Sequence, residues 1–224
     1  MLANVFYTLG VWIDKFLFWF NPDTSVATFG PLRSSSIYDI PMFIAFLTMI
    51  PAIAVFILHM ESKFALIYPR FMETIFKRKT LADIEVVSHQ LVMAGREAMM
   101  QLFKTQAFVL VVMFLSSSFI FERYHLVPMD WNLLCVLLVG AALNATLWAL
   151  LNLLYYMTHY RHAVYVSALF CVSNGVLTGL SLYAGPWYFG YGFSLSFLAP
   201  IALALYYLNK NFNDLAYSTF MLVD

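Results

Sequence analysis

The residues of this sequence that could do chemistry are charged and polar side chains inside apolar stretches. Asp14 and Lys15 stand side by side in Gly10–Phe20, GVWIDKFLFWF. A carboxylate inside a membrane span costs on the order of 3 kcal/mol, so it faces a bundle interior or a water-filled cavity. Adjacent residues point about 100° apart on a helix, so the two charges do not share a face. We therefore expect Asp14 to be the interior group and Lys15 to extend toward an interface.

Further polar residues recur at helical spacing in later apolar stretches. Asn144, Trp148 and Asn152 follow one another at intervals of four, and Asn174 and Thr178 do the same. Such residues either form hydrogen bonds between helices or line a substrate pathway. The segment Gly175–Gly179, GVLTG, has the GxxxG spacing that lets two helices approach closely. Spacing alone leaves the packing role and the pathway role open.

The composition is typical of an integral membrane protein. The chain is 62% hydrophobic and only 11% charged, and its mean hydropathy is +0.79; soluble domains carry about 25% charged residues. The net charge is zero, which gives no argument for a nucleic-acid partner. Cys135 and Cys171 lie inside apolar runs, where small packing residues are expected rather than a disulfide or a metal site. The sequence contains no paired carboxylates or nucleotide-binding motif, so we expect a protein without enzyme activity or a cofactor.

Six stretches approach the roughly 20 apolar residues that cross a bilayer as a helix. They are Leu2–Phe20, Ile40–Met60, Thr105–Phe121, Trp131–Met157, Ala163–Tyr183 and Tyr188–Leu208. These runs lack the alternation of a membrane barrel. The prediction is an all-α membrane protein. Residues 1–60 hold two spans and an outer loop at 21–39, residues 61–104 hold an amphipathic cytoplasmic segment, and residues 105–224 hold four spans and a short tail. Pro51 and Pro200 are expected to interrupt the second and sixth spans.

Lysines and arginines predict the orientation. One set of loops carries nine of them and the opposite set only two, Arg33 and Arg123. Because cytoplasmic loops are enriched in Lys and Arg, both termini and residues 61–104 are predicted to lie in the cytoplasm. Tyrosines then mark the inner interface at Tyr155, Tyr156, Tyr206 and Tyr207.

The predicted cytoplasmic segment has a basic cluster followed by an amphipathic pattern. Lys77, Arg78 and Lys79 precede apolar residues that recur at helical intervals from Leu81 to Leu102. One interpretation is a docking surface for a partner protein, with these three basic residues at its centre. The other is a helix that only lies on the bilayer or on neighbouring helices.

Ordered stretches of the sequence resemble a known family. GVWIDKFLFWF, the run GPLRSSSIYDIPMFIAFLTMIPAIAVFIL and ESKFALIYPRFMETI, followed by two aromatic-rich spans, are similar to the PelG family, the inner-membrane transporter of Pel exopolysaccharide. The similarity extends over essentially the whole chain. It implies a flippase-like fold related to polysaccharide and multidrug exporters, with about twelve helices in two six-helix lobes. The chain corresponds to the C-terminal lobe, so an N-terminal six-helix lobe is an expected partner.

The resemblance also implies a role for the polar residues. An exporter passes a sugar polymer along a central cavity, and Asp14 could accept hydrogen bonds from its hydroxyls or meet an amino sugar. Trp12 could stack on sugar faces, and Asn144, Asn152 and Asn174 are further candidates for the pathway. The expected partners are a polysaccharide, a cytoplasmic glycosyltransferase and other Pel components of the inner membrane. The alternative function is a scaffold that docks the glycosyltransferase without transporting the polymer.

Overall fold

Helices make up almost all of the computed structural model, which describes residues 1–29, 32–77, 81–124 and 128–213. Within these ranges five helical stretches are long and apolar enough to cross a membrane. They are Ser36–Phe76, Asp83–Ser116, Trp131–Tyr156, Tyr160–Ala184 and Pro186–Lys210. The fold is therefore all-α, as the composition predicted.

The first predicted span is a helix, but it is less apolar than the five stretches above. Helix α1 is Leu2–Phe20, a length of 19 residues, and it is not among the five apolar stretches. Asp14 and Lys15 in its second half reduce its apolar character. A sixth crossing by α1 stays a prediction.

The helices that contain the second and third predicted spans are longer than those spans. After a short antiparallel hairpin of β1 (Val26–Phe29) and β2 (Leu32–Ser34), four helical elements follow almost without interruption. They are α2 (Ser36–Leu47), α3 (Met49–His59), a π-helical turn (Met60–Phe64) and α4 (Ala65–Phe76). Helix α5 then extends over 44 residues, Leu81–Tyr124. Residues 61–76 and 81–104 thus form helices continuous with the two predicted spans, and α4 and α5 pack together as a helical hairpin. The cytoplasmic location of residues 61–104 stays a prediction.

Two later helices form the centre of the bundle. The remaining elements are α6 (Pro128–Tyr156), α7 (Tyr160–Ala184), a 3-10 turn (Pro186–Tyr188), α8 (Tyr191–Ser196) and α9 (Leu198–Asn213). Helix α6 packs against α2, α3, α5, α7, α8 and α9, and it supplies many of the fully buried leucines. Helix α1 packs mainly against α7, which makes α7 the support for the residues at Asp14.

The two prolines interrupt their spans as predicted. Helix α2 ends at Leu47 and α8 ends at Ser196, each four residues before Pro51 or Pro200. A proline ring clashes with the carbonyl four residues earlier and offers no N–H to it. The prolines therefore explain the breaks at Thr48 and Phe197.

Close packing at glycines holds α7 against its neighbours. A Cβ at Gly192 would lie 2.5 Å from the carbonyl oxygen of Leu177 and from the backbone nitrogen of Thr178. In the GxxxG segment, a Cβ at Gly175 would lie 3.0 Å from Ile13 Cδ1, whereas Gly179 has no neighbour within 4 Å in the described part of the chain. One glycine of the GxxxG pair thus contacts α1, and the other faces open space.

We predict that Gly192→Ala destabilises the bundle, because the new methyl group meets backbone atoms that cannot rotate away. Overpacking of this kind costs about 1–3 kcal/mol. The measurement is thermal unfolding of the purified chain in detergent, followed by tryptophan fluorescence. Gly179→Ala is the matched control and should unfold at or slightly above the wild-type temperature. Equal unfolding temperatures for Gly192→Ala and wild type would contradict the close approach of α8 to α7 at Gly192.

The orientation is tested by cysteine labelling at two exposed positions. In a background with Cys135 and Cys171 replaced by alanine, Asp23→Cys should react with an impermeant thiol reagent on right-side-out spheroplasts. Glu85→Cys should react only after the membrane is permeabilised, because Lys and Arg place that hairpin in the cytoplasm. Both positions are exposed to solvent in the structure, so burial does not explain a difference. The reverse labelling pattern would show that the orientation is wrong.

Candidate functional site: the polar seam of α1

One face of α1 carries polar groups into the bundle. Asn4, Tyr7, Gly10 and Asp14 follow one another at intervals of three and four, which places them on one side of the helix. We call these four residues the polar seam. The opposite side is apolar and exposed, and Trp12 and Phe16 on that side are each 42% exposed.

Asp14 is fully buried and bonds to α2. Its Oδ2 accepts a hydrogen bond of 2.5 Å from the hydroxyl of Tyr38, which is also fully buried. The ring of Tyr38 stacks on Phe18, with 3.9 Å between ring centroids. In the described part of the chain, Asp14 Oδ1 has no hydrogen-bond partner. Asp14 is thus the interior group that was expected, and it keeps one acceptor oxygen free.

Lys15 points in a different direction from Asp14. Its ammonium lies 4.4 Å from the ring centroid of Trp12 and 4.6 Å from that of Phe46. A cation over an aromatic face is stabilised by the ring quadrupole. The ion pairs between described residues are Lys63–Glu97 and Lys77–Glu73, so Lys15 does not neutralise Asp14 through a direct ion pair.

The middle of the polar seam bonds to α6 and α7. The Tyr7 hydroxyl donates to Asn144 Oδ1 at 2.7 Å, and Asn144 Nδ2 lies 3.7 Å from Met49 Sδ. Asn174 Nδ2 donates to the carbonyl oxygen of Gly10 at 2.7 Å, and the Thr178 hydroxyl donates to Asn174 Oδ1 at 2.8 Å. Through these two bonds, Thr178 and Asn174 of α7 are connected to the backbone of α1.

Close approach of the helices makes these bonds possible. A Cβ at Gly10 would lie 2.6 Å from the ring of Phe170 and 3.2 Å from the Cα of Cys171. A larger residue at position 10 would push α1 away from α7. The bond from Asn174 to the Gly10 carbonyl would then be lost.

The structure places the five predicted pathway residues in three different settings. Asp14, Asn144 and Asn174 are buried and belong to hydrogen bonds between helices. Asn152 instead donates to the Trp148 carbonyl of its own helix at 2.8 Å. Trp12 lies on the exposed side of α1 with Phe16 and Trp19, whose ring centroids are 5.6–6.4 Å apart.

Sequence reasoning missed the hydrogen bonds that three tyrosines form at the polar seam. Tyr7 and Tyr38 bond to predicted residues, and the Tyr155 hydroxyl donates to Asn4 Oδ1 at 2.7 Å. The spacing of Asn4, Tyr7 and Asp14 could have shown that they share a helix face. The position of Tyr38 depends on how α2 packs, which spacing within α1 does not reveal.

The predicted docking residues are only partly within the described ranges. Lys77 is exposed at the end of α4 and forms an ion pair with Glu73, one turn earlier. Arg78 and Lys79 lie outside the described residues. Their contribution to a docking surface stays a prediction. Across the described ranges, no three His, Cys, Asp or Glu residues are grouped so that they could hold a metal ion.

Comparison with known proteins identifies the family. The profile of the family described as "PelG: Putative exopolysaccharide Exporter (EPS-E)" matches residues 1–220, which is essentially the whole chain. The chain belongs to the PelG family. Comparisons with curated proteins and with solved structures gave no match. Membership in the PelG family, together with five apolar helices, makes this a multi-pass membrane protein with a role in exopolysaccharide transport. The description of the PelG family names an exporter and no enzyme activity.

We expect Tyr38→Phe to destabilise the bundle, because it leaves both oxygens of a buried carboxylate without a hydrogen bond. The cost of leaving such a group unbonded is about 1–3 kcal/mol. Thermal unfolding in detergent measures the effect. Tyr183→Phe is the matched control, since Tyr183 is 94% exposed and the loss of its hydroxyl should change nothing. If the two variants unfold at the same temperature, the Asp14–Tyr38 bond does not stabilise the fold.

Proposed function

We propose that this chain is one six-helix lobe of an exopolysaccharide exporter in the bacterial inner membrane. The polymer is a Pel-like chain that contains amino sugars, and the lobe works within a synthase complex with a cytoplasmic glycosyltransferase. The observation that carries the proposal is the match to the PelG family over residues 1–220. The five apolar helices support a multi-pass lobe. The nine-to-two distribution of Lys and Arg favours both termini in the cytoplasm, which requires α1 as the sixth crossing.

The exposed side of α1 is our candidate for the wall of the transport pathway. Trp12, Phe16 and Trp19 form an aromatic cluster there, and Lys15 lies beside it. Aromatic rings stack on the apolar faces of sugars, and each ring also offers apolar area to lipid or to a second lobe. We propose that a second six-helix lobe, which the PelG family implies, faces this side of α1 across the polymer.

Asp14 contributes in this proposal only after a rearrangement. The carboxylate is fully buried against Tyr38, so an amino sugar or a proton reaches it when α1 and α2 separate. Its free Oδ1 then accepts a charge-assisted hydrogen bond. The helix breaks at Thr48 and Phe197 provide flexible points for such a movement.

Two of the three asparagines support α1 in this proposal. Asn144 and Asn174 bond to Tyr7 and to the Gly10 carbonyl, and their loss would misplace Asp14 and Trp12. They act on the pathway through the position of α1. Asn152 bonds instead to the Trp148 carbonyl of its own helix, so its place on the pathway stays a prediction.

The second candidate function is a scaffold, favoured by the exposed end of the α4–α5 hairpin. Phe76 is 67% exposed and Val86 is 58% exposed, and Lys77 directly follows Phe76. Exposed apolar residues beside a cation are typical of a protein–protein contact. In this alternative the hairpin end docks the glycosyltransferase and the chain moves no polymer.

We predict that Asp14→Asn lowers polymer export severalfold at normal protein level. The asparagine keeps an oxygen that accepts the Tyr38 hydrogen bond but removes the negative charge. Export is measured as secreted polymer per unit of membrane-inserted chain, in cells with the complete synthase complex. Lys15→Met is the control and should lower export less, because the Lys15 ammonium lies over aromatic rings rather than at the carboxylate.

Two results would argue against this prediction. Wild-type export by Asp14→Asn at equal protein level would show that Asp14 is structural. Normal export by Asp14→Asn would favour the scaffold if a separate substitution of Lys77 abolishes co-purification of the glycosyltransferase. An unfolding temperature close to wild type for Asp14→Asn is required before a loss of export is attributed to charge.

A further inference from the structure

A groove between α4 and α5 combines cations with an apolar wall. Its volume is ≈ 790 Å³. Lys63, Arg70 and Arg96 line it, as do the apolar side chains of Leu66 and Met93. We call it the basic groove. It is separate from the polar seam of α1 and from the end of the hairpin at Lys77.

Within the part of the chain that the structure describes, two of the cations in the basic groove take part in no ion pair. Lys63 Nζ donates to Glu97 Oε1 at 2.5 Å, so these two charges compensate each other. The second ion pair within the described ranges is Lys77–Glu73, so neither Arg70 nor Arg96 takes part in one. Both arginines are exposed. The guanidinium fork binds the oxygens of a phosphate or a carboxylate in pairs, which an ammonium cannot do. A ligand with such an anionic group therefore fits the groove.

The apolar wall of the basic groove favours a ligand that has more than an anionic group. Leu66 is 63% exposed, Met93 50% and Met100 53%, although all three line one concave surface. Apolar side chains grouped in a groove favour a ligand with a hydrocarbon portion. A ligand with both parts, a phosphate and a hydrocarbon chain, matches the residue types that line the groove.

Aromatic contacts favour a position of the basic groove at the membrane surface. Phe64, next to Lys63, stacks on Tyr68 and meets the edge of Tyr156, with centroid distances of 6.3 and 5.6 Å. Tyr155 and Tyr160 lie 6.3 Å apart at the same end of the spans. Tyrosines concentrate at the level of lipid headgroups. This grouping of tyrosines is typical of the depth where phosphodiester groups occur, and the arginines lie beside it.

We propose that the basic groove binds one anionic phospholipid of the cytoplasmic leaflet, such as phosphatidylglycerol. Arg70 and Arg96 hold its phosphodiester, and an acyl chain lies along Leu66, Met93 and Met100. The bound lipid covers the exposed apolar wall and fastens the α4–α5 hairpin to the membrane surface. This inference rests on the membrane location of the chain and not on its transport activity.

Native mass spectrometry tests the proposal with the full chain in an equimolar mixture of phosphatidylglycerol and phosphatidylcholine. The wild-type chain should retain one phosphatidylglycerol in preference to phosphatidylcholine. Each cation near a membrane surface changes lipid binding on the order of fivefold, so Arg70→Gln with Arg96→Gln should weaken retention about 30-fold. Arg70→Lys with Arg96→Lys should restore part of it, because the charge remains and the paired geometry is lost.

The charge-matched control removes two exposed cations elsewhere at the same end of the spans. Arg161→Gln with Lys210→Gln should leave retention of phosphatidylglycerol unchanged. The unfolding temperature of each variant in phosphatidylcholine alone shows whether it is folded. An equal loss in the control, or equal retention of the two lipids by wild type, would overturn a specific site.

Two further outcomes would assign the basic groove to another ligand. Displacement of phosphatidylglycerol by millimolar inorganic phosphate would show an anion site without lipid specificity. Unchanged lipid retention in Arg70→Gln with Arg96→Gln, together with lost co-purification of the glycosyltransferase, would show a protein-docking groove. Either result overturns the lipid assignment.

Discussion

The hydrogen bond between Tyr38 and Asp14 is the interaction on which the arrangement of α1 depends. A buried carboxylate is costly in an apolar bundle unless hydrogen bonds or a counter-charge compensate it. Tyr38 supplies one such bond at 2.5 Å, and its ring lies flat against Phe18. The bond therefore couples α1 to α2. The bonds of Tyr7 and of the Gly10 carbonyl to α6 and α7 are compatible with the same rotation of α1.

The same rotation connects packing to transport. With Asp14 turned inward, Gly10 faces Phe170 of α7 and its carbonyl accepts from Asn174. Trp12 is then turned outward, where we propose that a second lobe and the polymer contact it. One helix thus presents a bonded polar face to its own bundle and an aromatic face to its surroundings. A movement that exposed Asp14 would have to break the bond to Tyr38 and rotate the aromatic face with it.

The lengths of the apolar stretches and the positions of the prolines predicted much of the fold. Both are local properties, so the all-α class and the breaks before Pro51 and Pro200 could be derived from the sequence. The charges of residues 61–104 predicted a cytoplasmic segment, which stays a prediction. The structure adds that α4 and α5 are long helices continuous with the apolar stretches, because a helix does not end where polarity begins. For the site, the burial of Asp14 followed from its neighbours, but its bond to Tyr38 is a tertiary contact between two helices. The lining of the basic groove is a tertiary feature for the same reason.

The most direct test of the central claim compares Tyr38→Phe with the double variant that also carries Asp14→Asn. Export per folded chain is measured for both in cells with the complete synthase complex, with the folded fraction determined by size-exclusion chromatography. If the charge of Asp14 serves export beyond its bond to Tyr38, the double variant exports less than Tyr38→Phe alone at an equal folded fraction. Equal export by the two variants would contradict the account, because Asp14 would then act only through the bond that Tyr38→Phe has already removed.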